Sequence, residues 1–272
     1  MNTAPYETIG PHWSSMSLTV RGLHKGPTDS CQDRAAHWQV DDRAVLLAIA
    51  DGAGSASAGG HGAQSFVDQV ATRVLRTEWK PILTSEPDVA RSAVEAVVRS
   101  AINDARRELE QLNADLRVFN STAGVCLVTQ RFVVVCAIGD VFACVRSRLD
   151  PTDLKLVLSP ERAGARDNGT FFYTMPDWAT HLESLVIVDP TIEAVFLSSD
   201  GLEDAALQFD YPDRQAAVDS NIAQPVEVRL VPDILRFVES DFDASRLARE
   251  IDVPEILSTK GDDVGFALAI RR

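Results

Sequence analysis

The chain has 272 residues, of which 45% are hydrophobic and 24% charged, a balance typical of a globular protein with a substantial core. The 40 acidic residues outnumber the 26 basic ones and give a formal net charge of -14, which disfavours binding to nucleic acid or to an anionic membrane. No apolar run approaches the length of a membrane span, and residues 1–10 lack a basic stretch followed by an apolar one, so we expect a cytoplasmic protein.

No linker rich in proline, glycine or serine and no block of like charge separates the two halves of the chain. We therefore predict one domain over residues 1–272. The cysteines contain no Cys-x-x-Cys pair, and most of them lie in apolar, strand-like surroundings. This pattern favours buried thiols over disulfides or a zinc site. The cysteines are Cys31, Cys126, Cys136 and Cys144.

The first half of the chain predicts strands followed by two helices. Residues 44–50 are apolar on both faces, which is typical of a central strand. A segment rich in glycine, serine and alanine follows over residues 53–62, and apolar side chains then recur at three- and four-residue spacing. The predicted strands are residues 15–20, 35–40 and 43–50, and the predicted helices are residues 63–78 and 87–112.

From residue 121 onward the pattern changes to short strands with tight turns, typical of an antiparallel meander. The predicted strands are residues 122–129, 131–138, 141–146, 154–158, 184–188, 193–198 and 264–270. Helical periodicity predicts helices over residues 202–207, 226–238 and 244–250. This segregation of strands and helices indicates an α+β protein whose sheets are covered by helices, and not a regular βαβ winding.

Four short acidic tags lie far apart in the chain, and three of them adjoin apolar runs. A carboxylate at the tip of a buried strand is costly unless positive charge meets it. Several such tips brought together would form an oxygen-rich site suited to Mg²⁺ or Mn²⁺ and poorly suited to zinc. The tags are Cys31-Gln32-Asp33, Ala50-Asp51-Gly52, Ser199-Asp200-Gly201 and Gly261-Asp262-Asp263.

Each tag has a simpler interpretation when taken alone. Asp51-Gly52 could form a tight turn, Asp200 could cap the helix predicted after it, and Gly261-Asp262-Asp263 could be a solvated turn. Only the joint occurrence of the tags favours a metal site.

The order and setting of these tags resemble the metal-dependent protein phosphatases, the PPM or type 2C family. The similarity is greatest to bacterial members whose first motif reads His, a short loop, then Cys-Gln-Asp, here residues 24–33. The matching motifs run from about residue 18 to residue 270. The other motifs are residues 49–55, Gly62-Ala63-Gln64, Ser121-Thr122-Ala123-Gly124, Ile138-Gly139-Asp140, residues 197–202 and Gly261-Asp262-Asp263.

The resemblance implies an α-β-β-α sandwich, in which two central antiparallel sheets are flanked by helices, with two Mg²⁺ or Mn²⁺ ions at one end. It implies a serine/threonine protein phosphatase acting on a phosphorylated protein, and we expect a monomer. By position, Asp51 would bridge both ions and Gly52 would offer its backbone carbonyl. The remaining implied metal positions are Asp200, Asp262, Asp33 (directly or through water) and Asp140 (for a third, more weakly held ion).

The implied reaction is in-line attack on phosphorus by a hydroxide that bridges the two ions. A histidine near the ions would protonate the leaving alkoxide. The candidates are His24, His37 and His61, and His24 ranks first because it belongs to the opening motif. Asp33 and Asp51 complete the predicted catalytic set.

The family's phosphate-binding arginine, five residues before the first aspartate, is matched by Thr28. The candidates to replace it are Lys25, Arg34 and Arg21. Together with Gln32, where eukaryotic relatives carry glutamate, Thr28 keeps one alternative open. In that alternative the chain is a catalytically silent module of the same fold that binds a phosphorylated partner. A phosphoenzyme mechanism is poorly supported because no Asp-x-Asp follows the first central strand, and no Gly-x-Ser-x-Gly elbow indicates a serine hydrolase.

Overall fold

The computed structural model describes residues 12–22, 25, 30–160, 170–209, 225–228, 230–240, 243–251 and 262–272. Two five-stranded antiparallel sheets form its centre. One sheet has the order β1-β12-β9-β6-β7 and the other β2-β3-β4-β5-β8, while β10 and β11 form a separate two-stranded ribbon. The strands are β1 (Trp13–Val20), β2 (Arg34–Asp41), β3 (Ala44–Ala50), β4 (Ala123–Val128), β5 (Val133–Ile138), β6 (Phe142–Ser147), β7 (Asp150–Leu158), β8 (Glu183–Ile187), β9 (Ile192–Ser198), β10 (Leu207–Phe209), β11 (Pro225–Val228) and β12 (Val264–Arg271).

Helices cover the outer face of each sheet, so the predicted α-β-β-α sandwich is confirmed. The first cluster of buried side chains joins α1 and α3 to the β3 sheet, and the second joins the C-terminal helices to the β12 sheet. A third cluster, which includes Leu47 and Val195, fills the space between the two sheets. The helices are α1 (Gly59–Arg76), α2 (Trp79–Thr84), α3 (Pro87–Leu112), α4 (Glu203–Ala206), α5 (Leu230–Ser240) and α6 (Ala244–Ile251).

The central position of β3 follows from its sequence. All seven of its residues are buried, because one face meets the helices and the other meets the opposite sheet. The strand that pairs with β3 also shows which sequence segments lie near Asp51 at the end of β3. Arg34, the residue that follows Asp33, pairs with Ala50, the last residue of β3. In the other sheet, Ser198 at the end of β9 pairs with Phe266 near the start of β12. All four acidic tags therefore adjoin the same end of the two sheets.

Two predicted helices differ from the structure. Residues 226–238 were predicted as one helix, but β11 occupies Pro225–Val228 and α5 begins only at Leu230. The helix predicted over residues 202–207 is a single turn, α4, and Leu207 then opens β10. Both errors have one cause: β10 pairs with β11, and a contact between strands distant in sequence overrides local helical periodicity.

The other differences are at element ends. Helix α1 begins at Gly59 instead of residue 63, and β7 begins at Asp150 instead of residue 154. The helix predicted over residues 87–112 is confirmed as α3, and the short α2 was not predicted. The four cysteines are free thiols, as expected. In the described ranges, no helix combines the length and apolar character needed to cross a membrane.

Candidate functional site

Asp33 directly precedes β2 and is buried at the junction of the two sheets, with 1% of its surface exposed. Its Oδ2 accepts a hydrogen bond of 2.6 Å from Ser199 Oγ, which in turn accepts one of 3.0 Å from the backbone N–H of Gly265. Its Oδ1 is buried with no hydrogen-bond partner among the described residues. A buried carboxylate oxygen without a partner is costly, so this atom is a candidate ligand for a cation.

Asp51 directly follows β3, and reciprocal hydrogen bonds to Thr122 fix its backbone. The Asp51 N–H donates to Thr122 Oγ1, and the Thr122 N–H donates to the Asp51 carbonyl, each at 2.9 Å. The next residue, Gly52, forms an isolated antiparallel β-bridge with Ser121 and packs against the first turn of α1. A Cβ atom added at Gly52 would lie 2.3 Å from the carbonyl carbon of Gly59. Only glycine therefore fits the loop that presents Asp51 and the Gly52 carbonyl.

The carboxylates at this end of the sandwich act on one another electrostatically. Burial raises the pKa of Asp33 to about 7, and interaction with the Asp51 carboxyl and the hydrogen bond from Ser199 partly oppose that rise. Burial also raises the pKa of Asp51 well above its usual range, and the negative charges of Asp33, Asp200 and Asp140 raise it further. Four predicted metal-binding residues are thus neighbours, and without a cation they disfavour one another's ionised forms.

The fourth tag lies beside the segment between β1 and β2, which contains the first motif and is named here the first-motif loop. Asp262 is partly exposed, whereas Asp263 is buried and accepts hydrogen bonds from the backbone N–H groups of Gly22 (2.8 Å) and Gln32 (2.5 Å). Lys25 Nζ lies 3.4 Å from Asp263 Oδ2 and 3.7 Å from Asp262 Oδ1, and it donates to Gln32 Oε1 at 2.6 Å. Burial alone would lower the pKa of Lys25, but the charges of Asp263, Asp262 and Asp51 outweigh it, so the pKa is raised and the ammonium stays charged.

Arg34 is committed to the loop from which it projects. Its Nη1 donates to the carbonyl oxygens of Cys31 and Asp33, each at 2.7 Å, and its Nε donates to Gln64 Oε1 at 2.6 Å. These bonds connect the first motif to α1. Arg34 therefore braces the backbone that carries Asp33.

The candidate histidines differ in position. His24, Thr28 and Gly261 lie outside the described residues. His37 is exposed on β2 and bonds to Ser17 Oγ at 3.0 Å; it stands three residues beyond Arg34, about 10 Å further from the acidic end. His61 is exposed in the first turn of α1. Neither His37 nor His61 has a described contact with Asp33 or Asp51.

The donor chemistry fits a hard divalent cation, because the neighbouring groups are carboxylates and one buried oxygen lacks a partner. The ligand set is not closed, however. Within the described ranges, no group of three or more acidic, histidine or cysteine side chains is arranged to hold an ion as it stands. The described carboxylates are therefore neighbours, and an ion bound between them would require them to move closer together.

Two residues of this site were not singled out in the sequence. Ser199 stands before the third tag and bonds to Asp33, and Asp263 stands after Asp262 and anchors the first-motif loop. Both lie inside recognised motifs, so the signal was their position beside a proposed ligand. Their partners are 166 and 231 residues away in the chain, a separation that no local pattern encodes.

Among known families, the model described as Protein phosphatase 2C matches residues 23–230. This range contains three of the four acidic tags and covers more than half of the chain. Among curated proteins, none matches the chain by sequence.

Several solved structures share the fold. The serine/threonine phosphatase Stp1 from Staphylococcus aureus superposes with a TM-score of 0.64 at 17% identity, covering 99% of this chain and 99% of its own. A serine-threonine phosphatase 2C from Toxoplasma gondii gives a TM-score of 0.65 at 15% identity, covering 97% and 96%. RsbX in complex with magnesium gives a TM-score of 0.52 at 15% identity, covering 96% of both chains.

Proposed function

The chain belongs to the protein phosphatase 2C family, and from this membership we propose that it is a divalent-cation-dependent phosphatase that hydrolyses phosphoserine or phosphothreonine in proteins. The observation that carries the proposal is the buried Asp33–Asp51 neighbourhood, where one carboxylate oxygen has no described partner. Because the family model and the structural neighbours extend over most of the chain, we also propose that residues 1–272 act as one catalytic domain.

In this proposal, Asp33, Asp51, Asp200 and Asp262 would hold two Mg²⁺ or Mn²⁺ ions, with the Gly52 carbonyl. Asp140 would serve a third, weaker ion. When bound, such ions supply Lewis acidity toward the phosphoryl oxygens and an activated water nucleophile.

The chain's own residues have separate tasks. Ser199 orients the Asp33 carboxylate by its hydrogen bond, and Thr122 fixes the backbone of Asp51. Lys25 is the preferred cation for the phosphate, because the guanidinium of Arg34 is already committed to two backbone carbonyls. His24 remains the proposed proton donor to the leaving alkoxide, on the strength of its place in the opening motif.

The test is hydrolysis of p-nitrophenyl phosphate and of a phosphothreonine peptide with Mn²⁺. We expect Asp51→Asn to lose at least about 100-fold in kcat, because its charge is needed to hold the ions. The matched control is Asp42→Asn, which makes the same change in the exposed turn before β3, at its opposite end from Asp51. Equal activity of wild type and Asp51→Asn would reject the proposal.

The alternative is a silent module that binds a phosphorylated partner. Gln32 favours it, because this neutral amide occupies the position before Asp33 and its Oε1 accepts from Lys25. Calorimetric titration with Mn²⁺ separates the two functions. An enzyme of the proposed kind binds the ion, and Asp51→Asn weakens that binding, whereas a silent module takes up no divalent cation.

A further inference from the structure

Asp263 is a buried carboxylate with three partners that all belong to the first-motif loop. It accepts from the N–H groups of Gly22 and Gln32, which lie on either side of Lys25 in the chain, and it faces the ammonium of Lys25 itself at 3.4 Å. Its side chain is only 1% exposed. Ionised carboxylates persist in such surroundings when charged or backbone donors satisfy them. Asp263 therefore connects the start of β12 to both flanks of Lys25.

Lys25 is held in the same place from a second direction. Its Nζ donates to Gln32 Oε1 at 2.6 Å, and its side chain is 17% exposed, so the ammonium sits at the rim of the site and is not free in solvent. A lysine ammonium has three N–H groups. One is used by Gln32 and one is directed toward Asp263. Asp262 Oδ1 lies 3.7 Å away, beyond hydrogen-bonding distance, so the third N–H can still donate to an oxygen of an arriving phosphate.

The site needs a cation in this position. A phosphate monoester carries close to two negative charges, and it approaches a neighbourhood that contains Asp33, Asp51 and Asp200. Bound metal ions offset part of that repulsion, and a fixed ammonium beside them offsets more. A side chain as flexible as lysine supplies this charge at a defined point only if another group holds it.

We propose that Asp263 is a positioning residue that holds Lys25 at the rim of the aspartate cluster, where Lys25 binds the phosphoryl group of the substrate. This inference has two halves, and the second, that Lys25 binds the phosphoryl group, rests on the proposed phosphatase function. The first half, the control of Lys25 by Asp263, stands on the contacts alone.

The first half is tested by the rate at which acetic anhydride acetylates Lys25 in the full chain, followed by mass spectrometry. We expect Asp263→Asn to label about fivefold faster than wild type, the factor that corresponds to loss of a modest ion pair. Asp104→Asn on α3 is the matched control, since it removes a partly buried charge that is paired with Arg73 on α1 and should leave the Lys25 rate unchanged. Equal rates in wild type and Asp263→Asn would overturn the positioning role.

The second half is tested by kinetics with p-nitrophenyl phosphate and inhibition by inorganic phosphate. We expect Lys25→Met and Asp263→Asn each to raise KM and the phosphate inhibition constant by about tenfold, with kcat changed less than about threefold. The double variant should have the same KM and the same phosphate inhibition constant as Lys25→Met, because Asp263 acts through Lys25. Additive losses in the double variant would mean that Asp263 acts elsewhere, and would overturn the inference.

A measurement without mutation keeps the proposal testable if Asp263→Asn does not fold. With Mn²⁺ present, inorganic phosphate should slow acetylation of Lys25 in the wild-type chain. Phosphate that inhibits turnover yet leaves Lys25 equally reactive would overturn the inference while the phosphatase function stands. If the wild-type chain hydrolyses no phosphate ester, the proposed function and the phosphate-binding half fail, and the labelling comparison still decides whether Asp263 holds Lys25.

Discussion

Ser199 Oγ donates a 2.6 Å hydrogen bond to Asp33 Oδ2, and this bond joins the two sheets at the acidic end of the molecule. Ser199 follows β9 in one sheet, and Asp33 precedes β2 in the other. The same hydroxyl accepts from the Gly265 N–H in β12, so its orientation is fixed from both sides. The bond leaves Asp33 Oδ1 as the carboxylate oxygen without a described partner.

Ser199→Ala removes this bond and should weaken both the fold and cation binding. We expect about 1–3 kcal/mol lower free energy of unfolding, because Asp33 Oδ2 and the Gly265 N–H both lose a buried partner. We expect the Mn²⁺ dissociation constant to rise about tenfold, in line with loss of a group that orients a ligand. Denaturant titration and calorimetry measure the two effects.

Ser198→Ala is the control for this change, since the Ser198 hydroxyl is equally buried and its described bonds are to backbone carbonyl oxygens only. It should leave the Mn²⁺ dissociation constant unchanged. A Ser199→Ala protein that binds Mn²⁺ as tightly as Ser198→Ala would contradict a role in orienting Asp33.

The metal-free protein should lose stability as pH rises from about 4 to about 7. The folded-state pKa of Asp33 is raised to about 7, so the folded chain keeps a proton there that the unfolded chain has already released. Because the unfolded state binds fewer protons in this window, the free energy of unfolding falls with increasing pH. Urea titrations in EDTA at pH 5 and pH 7.5 measure the difference.

Asp33→Asn should flatten this pH dependence. It removes the carboxyl whose pKa is raised to about 7, and it removes one negative charge that raises the pKa of Asp51. Saturating Mn²⁺ should flatten it as well, because a bound cation favours the ionised carboxylates. A wild-type protein that is more stable at pH 7.5 than at pH 5 in EDTA would show that the carboxylates have another countercharge.

Gly201→Ala should be strongly destabilising. A Cβ atom at Gly201 would lie 1.8 Å from the carbonyl oxygen of Asp263, a backbone atom that cannot move without displacing the start of β12. We expect a loss of about 3 kcal/mol or more, at the upper end of the cost of overpacking. Gly54→Ala is the control, because nothing lies within 4 Å of its added Cβ, and its effect should stay within about 0.5 kcal/mol. Thermal unfolding of both variants gives the comparison, and equal stabilities would contradict the close approach.

Tyr173→Phe should cost about 1 kcal/mol of unfolding free energy, the usual contribution of one buried hydrogen bond. The Tyr173 hydroxyl is buried and donates to the Gly62 carbonyl at 2.7 Å, which ties the loop before β8 to the first turns of α1. The ring still packs against Phe66 in the variant, so no cavity forms. Denaturant unfolding measures the change, and an unchanged midpoint would indicate that the hydroxyl is equally well satisfied by water.

The sequence predicted elements whose own composition decides their structure. The seven residues of β3 are apolar on both faces, and the 26 residues of α3 keep one apolar stripe, so both were found almost to the residue. The helix predicted over residues 226–238 was wrong at its start, because β11 pairs with β10, a strand distant in the chain. Propensity within a short window cannot report such a contact.

The candidate site divides in the same way. The aspartates were recognisable because their motifs are local, and the structure brings Asp33, Asp51, Asp140 and Asp200 within electrostatic range. The contacts of Ser199 and Asp263 were not recognisable, because their partners Asp33 and Gln32 lie 166 and 231 residues earlier in the chain. The expected cytoplasmic location, the monomeric state and the role of His24 stay predictions.

Strand β12 lies between β1 and β9, although it is the last strand in the chain. Asp262 and Asp263 directly precede it, so while β12 is unpaired the acidic end lacks both Asp262 and the contacts of Asp263 with Gln32 and Lys25. One sheet remains split between its edge strand and the other three until β12 inserts. We therefore expect a high-affinity divalent-ion site to form only after β12 has paired with β1 and β9.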